Sequence, residues 1–194
     1  MKKLFSGPQH FAKVRYNHPE APVQLTNAIS VLGQETRLAG TDILILCIGT
    51  DRSTGDSLGP LVGTRLLDMG LNVPVLGCLD QPIHAGNLSD TIDTLQRDGR
   101  RRWVLAVDAS LGSMDSVGHV NVGKGSLQPG AGVNKRLPAV GDIYITGVVN
   151  VGGFMEYFVL QNTRLSLIFK MANLIAHSIS EALPQAPKTA INQP

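Results

Sequence analysis

One short stretch of this chain carries three kinds of residue that could do chemistry. In Gly49-Thr50-Asp51-Arg52-Ser53-Thr54-Gly55-Asp56-Ser57-Leu58-Gly59-Pro60, glycines, an acid and a serine follow an apolar run and lead into a helical pattern. Each suggests a different reaction.

A glycine-rich connection from a buried strand to a helix start is a place where anions bind. The P-loop form of that device needs four residues between its glycines and a Lys before Ser or Thr. Here Gly49 and Gly55 enclose five residues and Asp56 stands at the lysine position, so a phosphate would meet a like charge.

A serine hydrolase is the second reading, because Gly55-Asp56-Ser57-Leu58-Gly59 matches G-x-S-x-G and spells the Gly-Asp-Ser-Leu of a lipase class. A nucleophile elbow, however, turns directly off a strand, whereas Ser57 lies nine residues past Ile48. His84, His119 and His177 follow Ser57, and none has an Asp three positions upstream, as that lipase class uses. Ser57 reads more simply as a helix N-cap.

The third reading pairs Asp56 with Asp108, which closes the apolar run Trp103 to Val107. Two close carboxylates resist ionising together, so one keeps a proton and serves as acid while the other activates water. That chemistry hydrolyses a peptide bond without a nucleophilic side chain. A helix start favours the ionised form of Asp56, which would make it the base and Asp108 the acid. Burial raises the pKa of whichever carboxyl is more enclosed, so a coupled pair leaves the holder of the shared proton open. Spacing alone also accommodates a plainer pair of roles, Asp56 as a cap and Asp108 as a strand-end turn residue.

The elements around these acids must bring them together. Val23, Leu25, Ala28, Ile29 and Leu32 recur with helical spacing, and Ile43 to Ile48 reads as a strand buried on both faces. Leu58, Leu61, Val62, Leu66 and Met69 mark a second helix, with Pro60 in its first turn and Gly70 past its end. Strand, helix and strand follow over Val73 to Leu79, Leu88 to Gln96 and Trp103 to Val107. Crossover connections of this kind make the strands parallel, so Asp56 and Asp108 meet at their carboxyl edge.

Val117 to Val122 is expected as an edge strand, Gln128 to Gly141 as a loop long enough to line a site, and Asp142 to Val151 as the last strand. Leu165, Ile168, Ala172, Ile175 and Ile179 form a final helical stripe, and Phe154, Tyr157 and Phe158 are expected in the core. The predicted fold class is α/β, a three-layer α/β/α domain with a mixed, mainly parallel sheet of the phosphorylase/hydrolase-like kind. It spans residues 21–184, between an irregular arm at 1–20 and a flexible tail at 185–194.

Composition narrows the partners. The 194 residues are 43% hydrophobic and 16% charged with a net charge of +2, which fits one globular domain and is too little charge for a dedicated nucleic-acid binder. Arg97, Arg100, Arg101 and Arg102 read as a solvated turn. No run approaches the roughly 20 apolar residues of a membrane span, and Ser6 to His10 interrupt any signal-like segment, so a cytoplasmic location is expected. Cys47 and Cys78 sit in apolar runs and read as core thiols.

Four separated blocks carry a resemblance. Gly49 to Pro60, Val107-Asp108-Ala109, Pro129-Gly130-Ala131-Gly132-Val133-Asn134-Lys135, and Ile145-Thr146-Gly147-Val148-Val149-Asn150-Val151 together resemble the sporulation protein YyaC family. More distantly the chain is similar to the germination protease of bacterial spores and to the maturation endopeptidases of nickel-iron hydrogenases. The resemblance implies an aspartic-type peptidase of sporulating cells, with Asp56 and Asp108 as its functional acids and small spore proteins as a substrate class. It implies Gly49, Thr50, Asn134, Lys135 and Asn150 as substrate-binding positions, and the forespore as the narrower location. The maturation endopeptidases add a His that holds nickel with the two acids. No residue between His119 and His177 supplies it, so neither metal nor cofactor is expected. The alternative is an inactive sporulation factor that binds a peptide or protein partner in the same cleft.

Overall fold

The computed structural model of the chain describes residues 10–37, 41–130 and 137–183. The branched run following Thr41 forms strand β2 (Asp42–Cys47), whose side chains alternate between two apolar layers as a pleated strand requires. Ile43, Ile45 and Cys47 pack into one core, and Leu46 with Ile48 into another. Burial on both faces explains why the run lacks a polar alternation.

The other strands are β1 (Ala12–Arg15), β3 (Val75–Leu76), β4 (Arg102–Gly112), β5 (His119–Lys124) and β6 (Ile143–Val151). They form one sheet ordered β1-β5-β6-β4-β2-β3. The pairs β3-β2, β2-β4 and β4-β6 are parallel, while β6-β5 and β5-β1 are antiparallel. The sheet is therefore mixed and mainly parallel, as expected.

Helices α1 (Ala21–Thr36), α2 (Leu58–Asp68) and α5 (Leu165–Ala182) cover one face. Leu25, Ile29, Leu66, Ile168 and Ile175 from these three join Ile45, Leu105 and Val120 of the sheet in the larger core. On the opposite face, α3 (Leu88–Arg97) contributes Leu88 and Ile92 against Leu46, Ala106 and Tyr144. Short α4 (Glu156–Gln161) lies at the carboxyl end, packed on the turn at Gly55–Ser57.

The chain leaves β2 through α2 to reach β3, then returns through α3 to β4 on the other side of β2. Because α2 and α3 lie on opposite faces, the carboxyl ends of β2 and β4 border the crevice where such sheets place their ligands.

Several expectations change. The arm at 1–20 contributes β1, which pairs Ala12 with Val122, so β1 rather than β5 is the edge strand on that side. Four residues of mixed polarity are too short to signal a strand unless β5 is known to lie beside them. The strand expected over Val73 to Leu79 shrinks to Val75–Leu76, because Pro74 has no N–H to donate and the backbone turns at Gly77. Strand β4 does not stop at Asp108. It pairs with β6 as far as Gly112↔Val151, whereas β2 accompanies it only to Cys47↔Val107. Phe154, Tyr157 and Phe158 are exposed, not core, at 86%, 60% and 56%. The tail at 185–194 lies outside the described residues.

Candidate active site

Asp108 is the first residue of β4 beyond the last β2 partner. Its neighbour on one side is Thr146 of β6, and on the other the sheet has opened because β2 has turned into the Gly49 loop. That opening is the floor of a cleft of about 260 Å³ walled by Gly49, Thr50, Arg52, Asp56, His84 and Asp108. The two acids therefore share one cavity, as the parallel strand order predicts.

The loop that presents Asp56 is held tightly. Gly49 has φ 142°, and its N–H donates to the Ile83 carbonyl at 2.8 Å. The Thr50 N–H donates to the Asp56 carbonyl at 3.1 Å. A side chain on Gly49 would put its Cβ 2.0 Å from that same Asp56 oxygen, so only glycine allows the closure. Gly59 plays a second part, since a Cβ there would fall 2.0 Å from the Ile48 carbonyl. Helix α2 thus starts directly against the end of β2, which fixes where Asp56 stands.

These bonds change the roles expected of Gly49 and Thr50. Both line the cleft, but the Gly49 N–H is taken by the Ile83 carbonyl and the Thr50 N–H by the Asp56 carbonyl, and Thr50 Oγ1 accepts from the Arg52 N–H at 3.3 Å. Their visible work is to position Asp56. Asn150 lies outside the cleft lining; its Nδ2 donates to the Val159 carbonyl and to Thr163 Oγ1, each at 3.2 Å. It ties β6 to α4, whose Leu160 packs against Gly55. Asn134 and Lys135 lie outside the described residues.

Ser57 is buried at 6% exposure, and its hydroxyl donates to the Thr54 carbonyl at 2.7 Å. It neither faces the cleft nor caps α2 through its side chain. The esterase reading of the motif loses its nucleophile.

Electrostatics separates the two acids. Asp108 keeps a partly accessible surface, yet its carboxyl is enclosed closely enough that desolvation pushes its pKa well above the usual range. A hydrogen bond from the Ala109 N–H (2.8 Å) opposes this, and the charge of Asp56 adds to the rise. The pKa of Asp56 is raised as well, chiefly by desolvation. The Ser53 hydroxyl opposes that rise from nearby, without reaching hydrogen-bond geometry, and its Oγ is buried with no partner.

His84 also lines the cleft, a position that its place in the sequence pattern does not announce. Its Nδ1 accepts the Gly86 N–H at 3.0 Å, and its backbone N–H donates to Asn87 Oδ1 at 2.8 Å. The signal is topological: His84 follows β3, the second parallel strand, and so emerges at the same sheet edge as both acids. A bridge between Ile48 and Ile83 fastens its loop beside Gly49. Among the described residues, no three His, Cys, Asp or Glu side chains form a group that could hold a metal ion. Likewise, no described helix is long and apolar enough to cross a membrane.

Fold and site together define an α/β/α protein with two unequal carboxyls and a histidine in one cleft at a parallel-strand edge. The chain belongs to the family described as "Protein of unknown function (DUF1256)", whose family model matches residues 13–178. The uncharacterized protein YyaC of Bacillus subtilis (strain 168) is 49% identical over 178 residues, which span 91% of this chain and 86% of the relative. Among solved structures, the NiFe hydrogenase maturation protease HycI from Thermococcus kodakarensis KOD1 is similar with a TM-score of 0.49. It is 21% identical, and the match covers 79% of this chain and 98% of that one.

Proposed function

We propose that this protein is an aspartic-type peptidase of sporulating cells that hydrolyses peptide bonds of a protein substrate in the Asp56–Asp108 cleft. The observation that carries the reading is that both carboxyls line one cavity while their surroundings differ, with burial, and to a lesser extent the charge of Asp56, holding the proton on Asp108. The more distant resemblance of Asp56 and Asp108 to the functional acids of spore and hydrogenase-maturation peptidases supports the reaction class.

In this mechanism ionised Asp56 takes a proton from water, and the water oxygen attacks the scissile carbonyl carbon. Asp108 gives its proton to the carbonyl oxygen as charge develops there. The hydrogen bond from Gly86 assigns His84 Nδ1 as the acceptor nitrogen, which leaves Nε2 to carry the proton and donate toward that oxygen. Collapse of the tetrahedral intermediate returns one hydroxyl proton to Asp108 and expels the amine, which leaves with the proton that Asp56 had accepted, so both acids regain their starting states.

The test incubates small acid-soluble spore proteins with the wild type, Asp56→Asn and Asp108→Asn. The expected result is cleavage by the wild type alone, and equal cleavage by all three would remove the acid pair from the mechanism. Cleavage by none favours the second reading, an inactive sporulation factor that holds a protein partner in the same cleft. The exposed Phe154, Tyr157 and Phe158 around α4 favour that reading, because α4 also supplies Leu160 to the cleft wall.

A further inference from the structure

The sheet registers align four polar side chains in one row. Asp108 on β4 stands opposite Thr146 on β6, Thr146 opposite Asn121 on β5, and Asn121 opposite Lys13 on β1. Residues directly opposite one another share a face of a sheet. The row therefore runs from the acid cleft to the far edge of the sheet on the α3 side. That face is bare of helices over β5 and β1 among the described residues, since α1 and α5 pack on the other side.

A groove of about 690 Å³ lies over this row and includes Lys13, Asn121 and Thr146 in its lining. Ser110 and Leu111 belong both to its wall and to the wall of the acid cleft, so the two cavities adjoin along β4. Asn121 is 5% exposed, and its Oδ1 has no hydrogen-bond partner. Its Nδ2 reaches Thr146 Oγ1 only at 3.4 Å, at the limit of a hydrogen bond. An unpaired amide atom buried at the centre of a groove is costly in the free protein. A peptide group, which offers both an N–H and a carbonyl, would relieve that cost whichever way the Asn121 amide is turned. At the far end, the exposed Lys13 ammonium is held by Ser116 Oγ at 3.0 Å.

We infer that the row Asp108–Thr146–Asn121–Lys13 is the floor of a subsite that binds an extended peptide segment on one side of the scissile bond, with an acidic side chain at Lys13. The inference rests on the peptidase or peptide-binding reading of the cleft and adds the path and charge preference of its ligand. Three inter-strand steps of about 4.8 Å separate Asp108 from Lys13, and an extended chain advances about 3.3 Å per residue, so roughly four residues span the row. The acidic side chain accordingly lies about four residues from the cleaved bond.

The test uses an array of 12-residue peptides of random sequence, probed with full-length Asp56→Asn protein so that bound peptides stay intact. Peptides with Asp or Glu are expected to bind preferentially. Lys13→Glu, a change at an exposed position, is expected to invert the preference toward Lys and Arg. Asn121→Leu is expected to weaken all bound peptides by about tenfold while leaving the charge preference in place, with circular dichroism confirming that it folds. Absence of peptide binding by Asp56→Asn protein, or a preference that Lys13→Glu leaves unmoved, overturns the subsite. The peptidase reading fails separately, if the array binds but the wild type cuts nothing. Where the wild type does cut, Lys13→Glu should raise KM for acidic substrates with kcat within about twofold, the pattern of lost ground-state binding.

Discussion

Thr50 donates its backbone N–H to the carbonyl of Asp56 at 3.1 Å, closing the loop between β2 and α2 around the acid it presents. The closure leaves no room for a side chain at Gly49, where a Cβ would lie 2.0 Å from the Asp56 carbonyl oxygen. Gly49→Ala therefore adds a steric clash to backbone strain of about 1–3 kcal/mol. It should lower Tm by about 2–4 °C for each kcal/mol lost. Peptidase activity should fall by about 100-fold, because Asp56 has to shift by a good part of an ångström. A thermal melt and a cleavage assay on the same preparation check both.

Asp108→Asn should abolish cleavage and yet stabilise the fold at neutral pH. The folded-state pKa of Asp108 lies well above its unfolded value, so between the two the native protein binds more protons than the unfolded chain. Stability contributed by protonated Asp108 is complete below the unfolded pKa and is lost as pH rises through the folded one. Asparagine cannot ionise and can still accept the Ala109 N–H, so it escapes that loss. Melts across pH 4 to 8 should show the variant gaining on the wild type as pH rises, and parallel curves would contradict the raised pKa.

The same displacement sets the pH dependence of catalysis. Activity requires ionised Asp56 and protonated Asp108, giving a bell whose acid limb follows Asp56 and whose alkaline limb follows Asp108. Both are displaced upward by desolvation, so both limbs should lie above the usual carboxylate range. A rate profile with a single limb at ordinary carboxylate pH would oppose the pairing of the two acids.

Ser57→Ala should leave cleavage within about twofold of wild type, because the hydroxyl serves the Thr54 carbonyl and not the reacting carbon. Losing that bond should cost about 0.5–1.5 kcal/mol of stability. Loss of activity with unchanged stability would return the motif to an esterase.

Chelation is expected to leave cleavage intact, since the described donors form no group of three around the acids. A loss of activity that nickel or zinc restores would reverse that expectation.

The strongest periodic signals told the most. Ile43 to Ile48, the Leu58 to Met69 stripe and the apolar run ending at Asp108 sufficed to place Asp56 and Asp108 at one edge, because parallel strand order is a topological inference needing no side-chain detail. What stayed hidden depended on partners distant in sequence. The strand at Ala12–Arg15 has no period of its own and exists because β5 offers it an edge. The length of β4 past Asp108 depends on β6, and the position of His84 depends on the Ile48–Ile83 bridge. The exposure of Phe154, Tyr157 and Phe158 escaped the usual preference for burying aromatics, because the chain turns outward there through Met155 at φ 53°.

The pairing of Ala12 with Val122 also orders the events of folding. Among the described residues, β1 docks only onto β5, roughly a hundred residues later, and β5 otherwise joins the sheet through β6. The segment carrying Asp56 and Asp108 is synthesised and can collapse around β2 and β4 while residues 12–15 still wait for a neighbour. Residues 12–15 are thus among the last of the described residues to find their place.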